Sequence, residues 1–212
     1  MKYDFVIVGA GIVGLTIAYT LENKYPGKKI LIIEKEQDVA FHSSGRNSGV
    51  LHAGFYYMEN SLKAKFCRSG NFLLREFFEE NDLNFLNSRK VVVAKDKSEH
   101  DFLLELYNRG IKNNVDITLI DKEELADIKP NILTFEKAIY SPTTASFNPK
   151  DVCLKFKEIL LNSEVEMKFN TAFKKKISED SFLTHNDEVI EYKTLINTAG
   201  LQADRLASEY ID

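Results

Sequence analysis

Three glycines in the order G-x-G-x-x-G, Gly9-Ala10-Gly11-Ile12-Val13-Gly14, stand between a β-branched run and an amphipathic stretch, and this leaves few folds open. Lys2 to Val8 (KYDFVIV) ends in an unbroken apolar run, which suits a strand buried on both faces of a parallel sheet. Ile12 to Tyr25 places Ile12, Leu15, Ala18, Tyr19 and Leu21 on one helical face. Pro26-Gly27 stops that helix, and Ile30 to Ile33 (ILII) reads as a second buried strand. The outcome is a βαβ unit with Glu34 at the end of its second strand, 20 residues beyond Gly14. In such a unit Gly9 permits the tight turn, Gly11 lets backbone approach a pyrophosphate, and Gly14 lets helix and sheet pack closely. The helix N-terminus attracts the phosphates, and the Glu34 carboxylate suits the hydroxyls of an adenosine ribose. An acid at position 34 disfavours a ribose phosphate, and so NADP; FAD and NAD both stay open.

The remaining glycines support this emphasis on the N-terminal quarter, since seven of ten precede residue 55. Gln37 to Gly54 (QDVAFHSSGRNSGVLHAG) has no helical or strand period and reads as a functional loop able to run along a long ligand. With 44% hydrophobic and 28% charged residues over 212 positions, disorder, collagen and coiled coil are excluded. A net charge of -4 offers no attraction to phosphate backbones, so nucleic acid is not an expected partner. Cys67 and Cys153 lie far apart, outside any metal-ligand spacing, and are expected to be reduced; no metal is expected. No apolar run approaches the ~20 residues of a membrane span, so neither signal peptide nor transmembrane segment is expected.

Further along, helices are expected at Ser61 to Asn81, Ser98 to Asn113, Lys122 to Ile128, Pro149 to Leu161 and Gln202 to Tyr210. Strands are expected at Asn84 to Ala94, Asp116 to Ile120 and Glu164 to Phe169. One strand, Ala138 to Tyr140, is expected in the Pro-punctuated stretch before Pro149. Ala172 to Tyr192 suggests an antiparallel meander, and Lys193 to Thr198 (KTLINT) a buried strand.

Five segments carry a resemblance: Asp4 to Gly14 (DFVIVGAGIVG), Ser44 to Tyr57 (SGRNSGVLHAGFYY), Ser61 to Cys67 (SLKAKFC), Ser141 to Thr144 (SPTT) and Asn197 to Gly200 (NTAG). Through them the chain resembles the FAD-dependent oxidoreductases of the D-amino-acid-oxidase-like superfamily, and within it the L-2-hydroxyglutarate dehydrogenase/oxidase family. The resemblance implies an α/β fold: a Rossmann-like, glutathione-reductase-like FAD-binding domain with part of a mixed-sheet substrate domain. Residues 1–83 and 138–212 would form the discontinuous FAD-binding domain, and 84–137 the partial substrate domain.

The same resemblance implies that Gly9, Ala10, Gly11, Ile12 and Gly14 line the FAD pyrophosphate and that Glu34 and Lys35 hold the ribose. Ser44, Gly45, Arg46, Asn47 and Ser48 would line the pyrophosphate and flavin, with Arg46 on the cofactor in preference to a substrate carboxylate. The strand at Glu164 to Phe169 would pass the adenine with the Val165 backbone in reach, and Ala199-Gly200 would return to the cofactor. The implied chemistry is oxidation of a small 2-hydroxy acid, L-2-hydroxyglutarate to 2-oxoglutarate, by hydride transfer to flavin, with oxygen or a quinone as electron acceptor. His52 is the candidate for the proton-accepting group, because an imidazole accepts a proton near neutral pH; a structural loop histidine is the alternative. Tyr56 and Tyr57 either wall the site or pack as core, and His42, His100 and His185 are given no chemistry.

Two alternatives accompany this reading: an amine or amino-acid oxidase of the same superfamily, and a truncated, non-catalytic dinucleotide-binding protein. Departures from the family pattern lie at Ser88-Arg89, where a glycine is usual, and at Ala145-Ser146-Phe147-Asn148, in place of Gly-Ile-Val-Asp. Family members are about twice this length, so the chain is expected to represent an N-terminal half. Its expected location is the cytoplasm, with peripheral attachment to the inner membrane as the open alternative.

Overall fold

A computed structural model describes residues 2–211. The chain divides into two compact units, Met1–Ser48 with Pro149–Asp212, and Gly49–Asn148.

The first unit is built on a six-stranded sheet. The glycine turn joins β1 (Lys2–Val8) to α1 (Ile12–Lys24), and β2 (Ile30–Ile33) follows. After Pro149 come α5 (Pro149–Leu161), β9 (Glu166–Lys168), β10 (Phe173–Ser178), β11 (Ser181–Thr184) and β12 (Val189–Asn197); α2 to α4 and β3 to β8 belong to the second unit. The strand order is β10-β11-β12-β1-β2-β9, parallel from β12 to β9 and antiparallel from β10 to β12. Period-2 alternation in β1 sends Val6 and Val8 into a cluster with Leu31, Ile33, Phe182 and Tyr192. Ile7, Ile30 and Ile32, equally buried, point to the opposite face. There α1 meets α5, with Tyr19 edge-on to Phe156 at 5.5 Å. A turn of 3-10 helix, Gly200–Gln202, leads into α6 (Ala203–Ala207), shorter than the helix expected to Tyr210.

Lys193 to Thr198 is not a separate buried strand. It is the exposed or half-buried end of β12, because Lys193 turns outward to an ion pair with Asp4 at 2.7 Å.

The second unit holds two three-stranded sheets. In one, β8 (Ala145–Phe147) lies between β3 (Val50–Leu51) and β4 (Phe85–Leu86); in the other, β7 (Ala138–Ser141) lies between β5 (Lys90–Val92) and β6 (Thr118–Ile120). Three helices complete it, α2 (Leu62–Glu80), α3 (Lys97–Lys112) and α4 (Lys122–Ile128). Each starts where an oxygen-bearing side chain caps it: Ser61 accepts from the Ala64 N–H, Asp96 from Glu99, and Asp121 from Glu124 in a full capping box.

The expected strand Asn84 to Ala94 is in fact two strands in different sheets. The break falls at Arg89, whose φ of 54° lies in the left-handed region that glycine occupies without cost. The stretch before Pro149 likewise holds two strands, β7 and β8, because the Ser141–Thr144 turn folds the chain back; inside it Ser141 Oγ and Thr144 Oγ1 sit 3.0 Å apart, both buried.

The unit boundaries fall after Ser48 and Asn148, where the sequence reading divides after residues 83 and 137. The reason is pairing: β3 and β4 both pair with β8, and α2 holds the 141–144 turn through hydrogen bonds from Asn71 and Arg75 to the Thr143 carbonyl.

Candidate functional site

In an open parallel sheet the crevice for a ligand lies beyond the carboxyl ends of the strands, where successive connections leave in opposite directions. Here that point is the end of β1, flanked by β2 and β12, and the sequence-assigned residues of the first unit gather there. Gly9 has φ of 109°, and its N–H donates to the Ile33 carbonyl at 2.8 Å. A Cβ on Gly9 would stand 2.5 Å from the Thr198 carbonyl oxygen. One on Gly14 would stand 2.0 Å from the Gly9 carbonyl oxygen and 2.8 Å from Thr198 Oγ1. Strand, turn and helix are therefore in van der Waals contact at backbone level, and no side chain fits between them.

Glu34 does more than stand ready for a ribose. Its buried carboxylate accepts from the Ala10 N–H through Oε2 at 2.8 Å and from the Glu36 N–H through Oε1 at 3.0 Å. It thus holds the middle of the glycine turn. Each oxygen keeps a further lone pair for a ligand hydroxyl. Lys35 is exposed and ion-pairs loosely with Glu36, which also binds His42 Nε2 at 2.9 Å.

The loop beyond β2 folds back over the turn. Ser44 Oγ accepts from the Ile12 N–H at 2.9 Å, the first donor of α1, and the Ala40 N–H reaches the Ala10 carbonyl at 3.4 Å. Gly45 permits this approach, since a Cβ there would meet the Ala40 carbonyl oxygen at 2.1 Å. Asn47 ties the loop to itself through the Ser43 and Ser44 carbonyls, while Arg46 and Ser48 are exposed. Helix geometry leaves the Gly11, Val13 and Gly14 N–H groups without intrahelical partners, and no acid occupies the first turn. With the positive end of the helix dipole behind them, these donors form a cradle suited to an anion. The residues present fit a dinucleotide.

Beyond β12, Ala199 follows at backbone distance from Gly9, and Gly200 has φ of 56°. Val165, by contrast, is not brought to the site. It precedes β9, whose register sets Glu166 opposite Leu31, so Val165 is level with the start of β2, at the far edge of the sheet from Glu34. The segment after β9 reaches the site instead: the Asn170 N–H donates to the Glu36 carbonyl at 2.9 Å and the Thr171 N–H to the Glu34 carbonyl at 2.8 Å. Thr198, which the motifs leave without a role, joins the site as well: its Oγ1 donates toward the Val8 and Gly9 carbonyls at 2.9 and 3.0 Å. A hydroxyl directly after the apolar end of a strand is the signal that marks it in the sequence.

His52, in the second unit, directly follows β3. Asn71 Nδ2 pins its carbonyl at 3.0 Å, with Cys67 Sγ at 3.4 Å. Its ring stays accessible, and local desolvation together with the charge of Lys90 lowers its pKa from the ordinary 6.5, favouring the neutral imidazole. Lys90 Nζ lies 4.6 Å from the centre of the Tyr56 ring, and Tyr56 lies tilted against buried Phe55, their ring centres 4.3 Å apart. Tyr56 is thus partly packed and 40% exposed. His100 is buried beside Glu136 at 3.7 Å, among packing residues. No group of His, Cys, Asp and Glu among the described residues has the arrangement of a metal site.

The family model described as FAD dependent oxidoreductase matches residues 4–211. The chain is 40% identical over 190 residues to the mitochondrial L-2-hydroxyglutarate dehydrogenase of Dictyostelium discoideum, covering 85% of this chain and 43% of that protein. It is 34% identical over 207 residues to the L-2-hydroxyglutarate dehydrogenase of Escherichia coli, covering 96% and 49%. The chain thus spans about half the length of the curated relatives it matches. Among solved structures it is similar to the L-α-glycerophosphate oxidase of Mycoplasma pneumoniae, determined with FAD bound, with a TM-score of 0.87, 26% identity, and coverage of 99% of this chain and 57% of that one. The resemblance and the α/β fold expected from the five motifs agree with these likenesses.

Proposed function

The chain belongs to the FAD-dependent oxidoreductase family, and from that membership we propose that it is the cofactor-binding half of an enzyme oxidising L-2-hydroxyglutarate to 2-oxoglutarate. The observation that carries the reading is the glycine turn locked between Glu34, Ser44 and Thr198, with the Val13 and Gly14 N–H groups directed outward from α1. The substrate follows the names of the relatives. Residues 1–48 and 149–212 act as the cofactor unit, and 49–148 contribute to the substrate side.

The flavin ring of FAD, when bound, supplies a two-electron acceptor for the α-hydrogen of the substrate, removed as hydride. The residues of the chain supply the rest. The α1 N-terminus and Arg46 hold the diphosphate, and Glu34 and Lys35 hold the ribose. Ser44, Gly45, Asn47 and Ser48 shape the path toward the ring, and Ala199-Gly200 close it from β12. His52, neutral at pH 7, takes the hydroxyl proton on a ring nitrogen as the hydride leaves the carbon, and the product is a 2-oxo acid. Lys90 beside it favours an anionic substrate. With FAD bound, oxygen or a quinone would serve as the final electron acceptor. No helix among the described residues is long and apolar enough to cross a membrane. We assign the protein to the cytoplasm, peripheral to the inner membrane where a quinone is the acceptor.

The test is a titration of the purified chain with FAD followed by quenching of flavin fluorescence, then anaerobic addition of 2-hydroxy acids and amino acids. The expected result is saturable FAD binding weakened by Glu34→Ala, with flavin bleaching by L-2-hydroxyglutarate in the full-length parent. Bleaching by amino acids alone would replace this reading with the amine-oxidase one. No FAD binding by chain or parent would end both.

A further inference from the structure

We propose that the second unit carries a separate binding site for a small amphipathic carboxylate, in a cleft between α2 and the turn leading into β6. The cleft has a volume of about 510 Å³, within the usual range of roughly 300–1,000 Å³ for small-molecule sites. Every residue lining it belongs to Gly49–Asn148, so it owes nothing to the cofactor unit.

Two kinds of wall meet in it. Phe72 and Leu73 on α2, 64% and 61% exposed, face it as bare apolar surface, and the buried Val115 also lines it. Arg68 and Arg75 supply two cations against the one carboxylate of Asp116. Arg75 is fixed in advance: Nε donates to Asn71 Oδ1 at 3.2 Å, Nη1 to Asn87 Oδ1 at 2.8 Å and Nη2 to the Thr143 carbonyl at 2.8 Å. A guanidinium has five N–H donors, so two remain uncommitted. Arg68, two turns of helix away, has no hydrogen-bond or ion-pair partner among the described residues, and the same holds for the side chains of Ser69 and Asn114. An oriented guanidinium, a second free one and two uncommitted polar side chains around a hydrophobic wall match a planar carboxylate on an apolar body. Arg rather than Lys at both cationic positions favours that planar, two-point recognition.

Phenylacetate, acetate and 2-phenylethanol separate the contributions of charge and ring. Each is titrated into the 15N-labelled chain while backbone amide shifts are followed. The expected result is that phenylacetate binds at least tenfold more tightly than either of the others, with shifts centred on Ser69, Phe72, Asn114 and Val115. Arg68→Met, at an exposed position that nothing else uses, should weaken phenylacetate at least tenfold with the rest of the spectrum unchanged, and Ser69→Asp should do the same by placing a negative charge at the rim. The proposal is overturned if either variant binds phenylacetate as well as the parent, if acetate binds as tightly, or if the shifts centre elsewhere. FAD binding is expected to be unaffected by both variants, so failure here is distinguishable from failure of the cofactor assignment.

Discussion

The same substitution, glycine to alanine, should have opposite effects at two helical positions, and the difference measures how closely α1 is held against the glycine turn. In a helix interior, alanine is favoured over glycine by about 1 kcal/mol, in part because it restricts the unfolded chain. Gly70 in α2 has nothing within 4 Å of the point where an added methyl would stand, so Gly70→Ala should realise that gain, about 2–4 °C in Tm for a chain of this size. At Gly14 the methyl would lie 2.0 Å from the Gly9 carbonyl oxygen and 2.8 Å from Thr198 Oγ1. The first of these is backbone of a turn that is itself pinned by Ile33, so no flexible side chain can yield. Forcing a methyl into such a contact costs about 1–3 kcal/mol, and more where backbone must move, which outweighs the propensity gain. Gly14→Ala should therefore lower Tm by several degrees. It should also weaken FAD at least tenfold, about 1.4 kcal/mol, because α1 can relieve the overlap only by carrying its N-terminal donors away from the turn. Thermal unfolding by circular dichroism reads the first effect and fluorescence titration the second. A Gly14→Ala chain with Tm within a degree of the parent and unchanged FAD affinity would refute the close-packing argument.

Two other perturbations address the carboxylate and the histidine. Glu34→Gln exchanges one acceptor oxygen for an NH2 group that must face the Ala10 or Glu36 N–H; a buried donor left opposite a donor costs about 1–3 kcal/mol, and urea unfolding together with FAD titration should show both stability and affinity reduced, an unchanged midpoint counting against the role of Glu34 in the turn. His52 has a folded-state pKa below its ordinary 6.5, so the unfolded chain binds the extra proton first, and its contribution to stability is lost as pH falls below about 6.5; Lys90→Met should raise the imidazole midpoint in an NMR titration, and a midpoint that stays put would remove Lys90 from the environment of His52.

Much of the first unit is legible in the sequence because its signals are local. A buried β-branched run, a glycine pattern and a helix stop fix β1, α1 and β2 to within a residue, and Ser61, with its hydroxyl ready for the Ala64 N–H, marks the start of α2. The second unit is less legible because its strands are only two to four residues long and their ends are set by tertiary pairing. From Asn84 to Ala94 the apolar content alone suggests one strand. The division at Arg89 depends on a positive φ held by a hydrogen bond from its N–H to the Thr144 carbonyl, 55 residues away, and no local pattern announces it.

The site shows the same split between what a strand is and which way it points. The sequence reading puts Val165, just before β9, beside the adenine, whereas parallel pairing with β2 brings the last residues of β9 to the Glu34 edge. That direction follows from the β1–α1–β2 unit itself: once β1 and β2 are parallel, every strand added in the same sense offers its carboxyl end to the glycine turn. Asn170 and Thr171 are therefore the positions from which this strand can act. Their N–H groups already bind the carbonyls of Glu36 and Glu34, so the loop after β9 and the acid at the end of β2 form one rigid wall. Glu34 accordingly links three segments, the turn through Ala10, its own loop through Glu36 and the segment after β9 through Thr171. An acid at this position acts first as the joint of the turn, and its remaining lone pairs are then held in a fixed place.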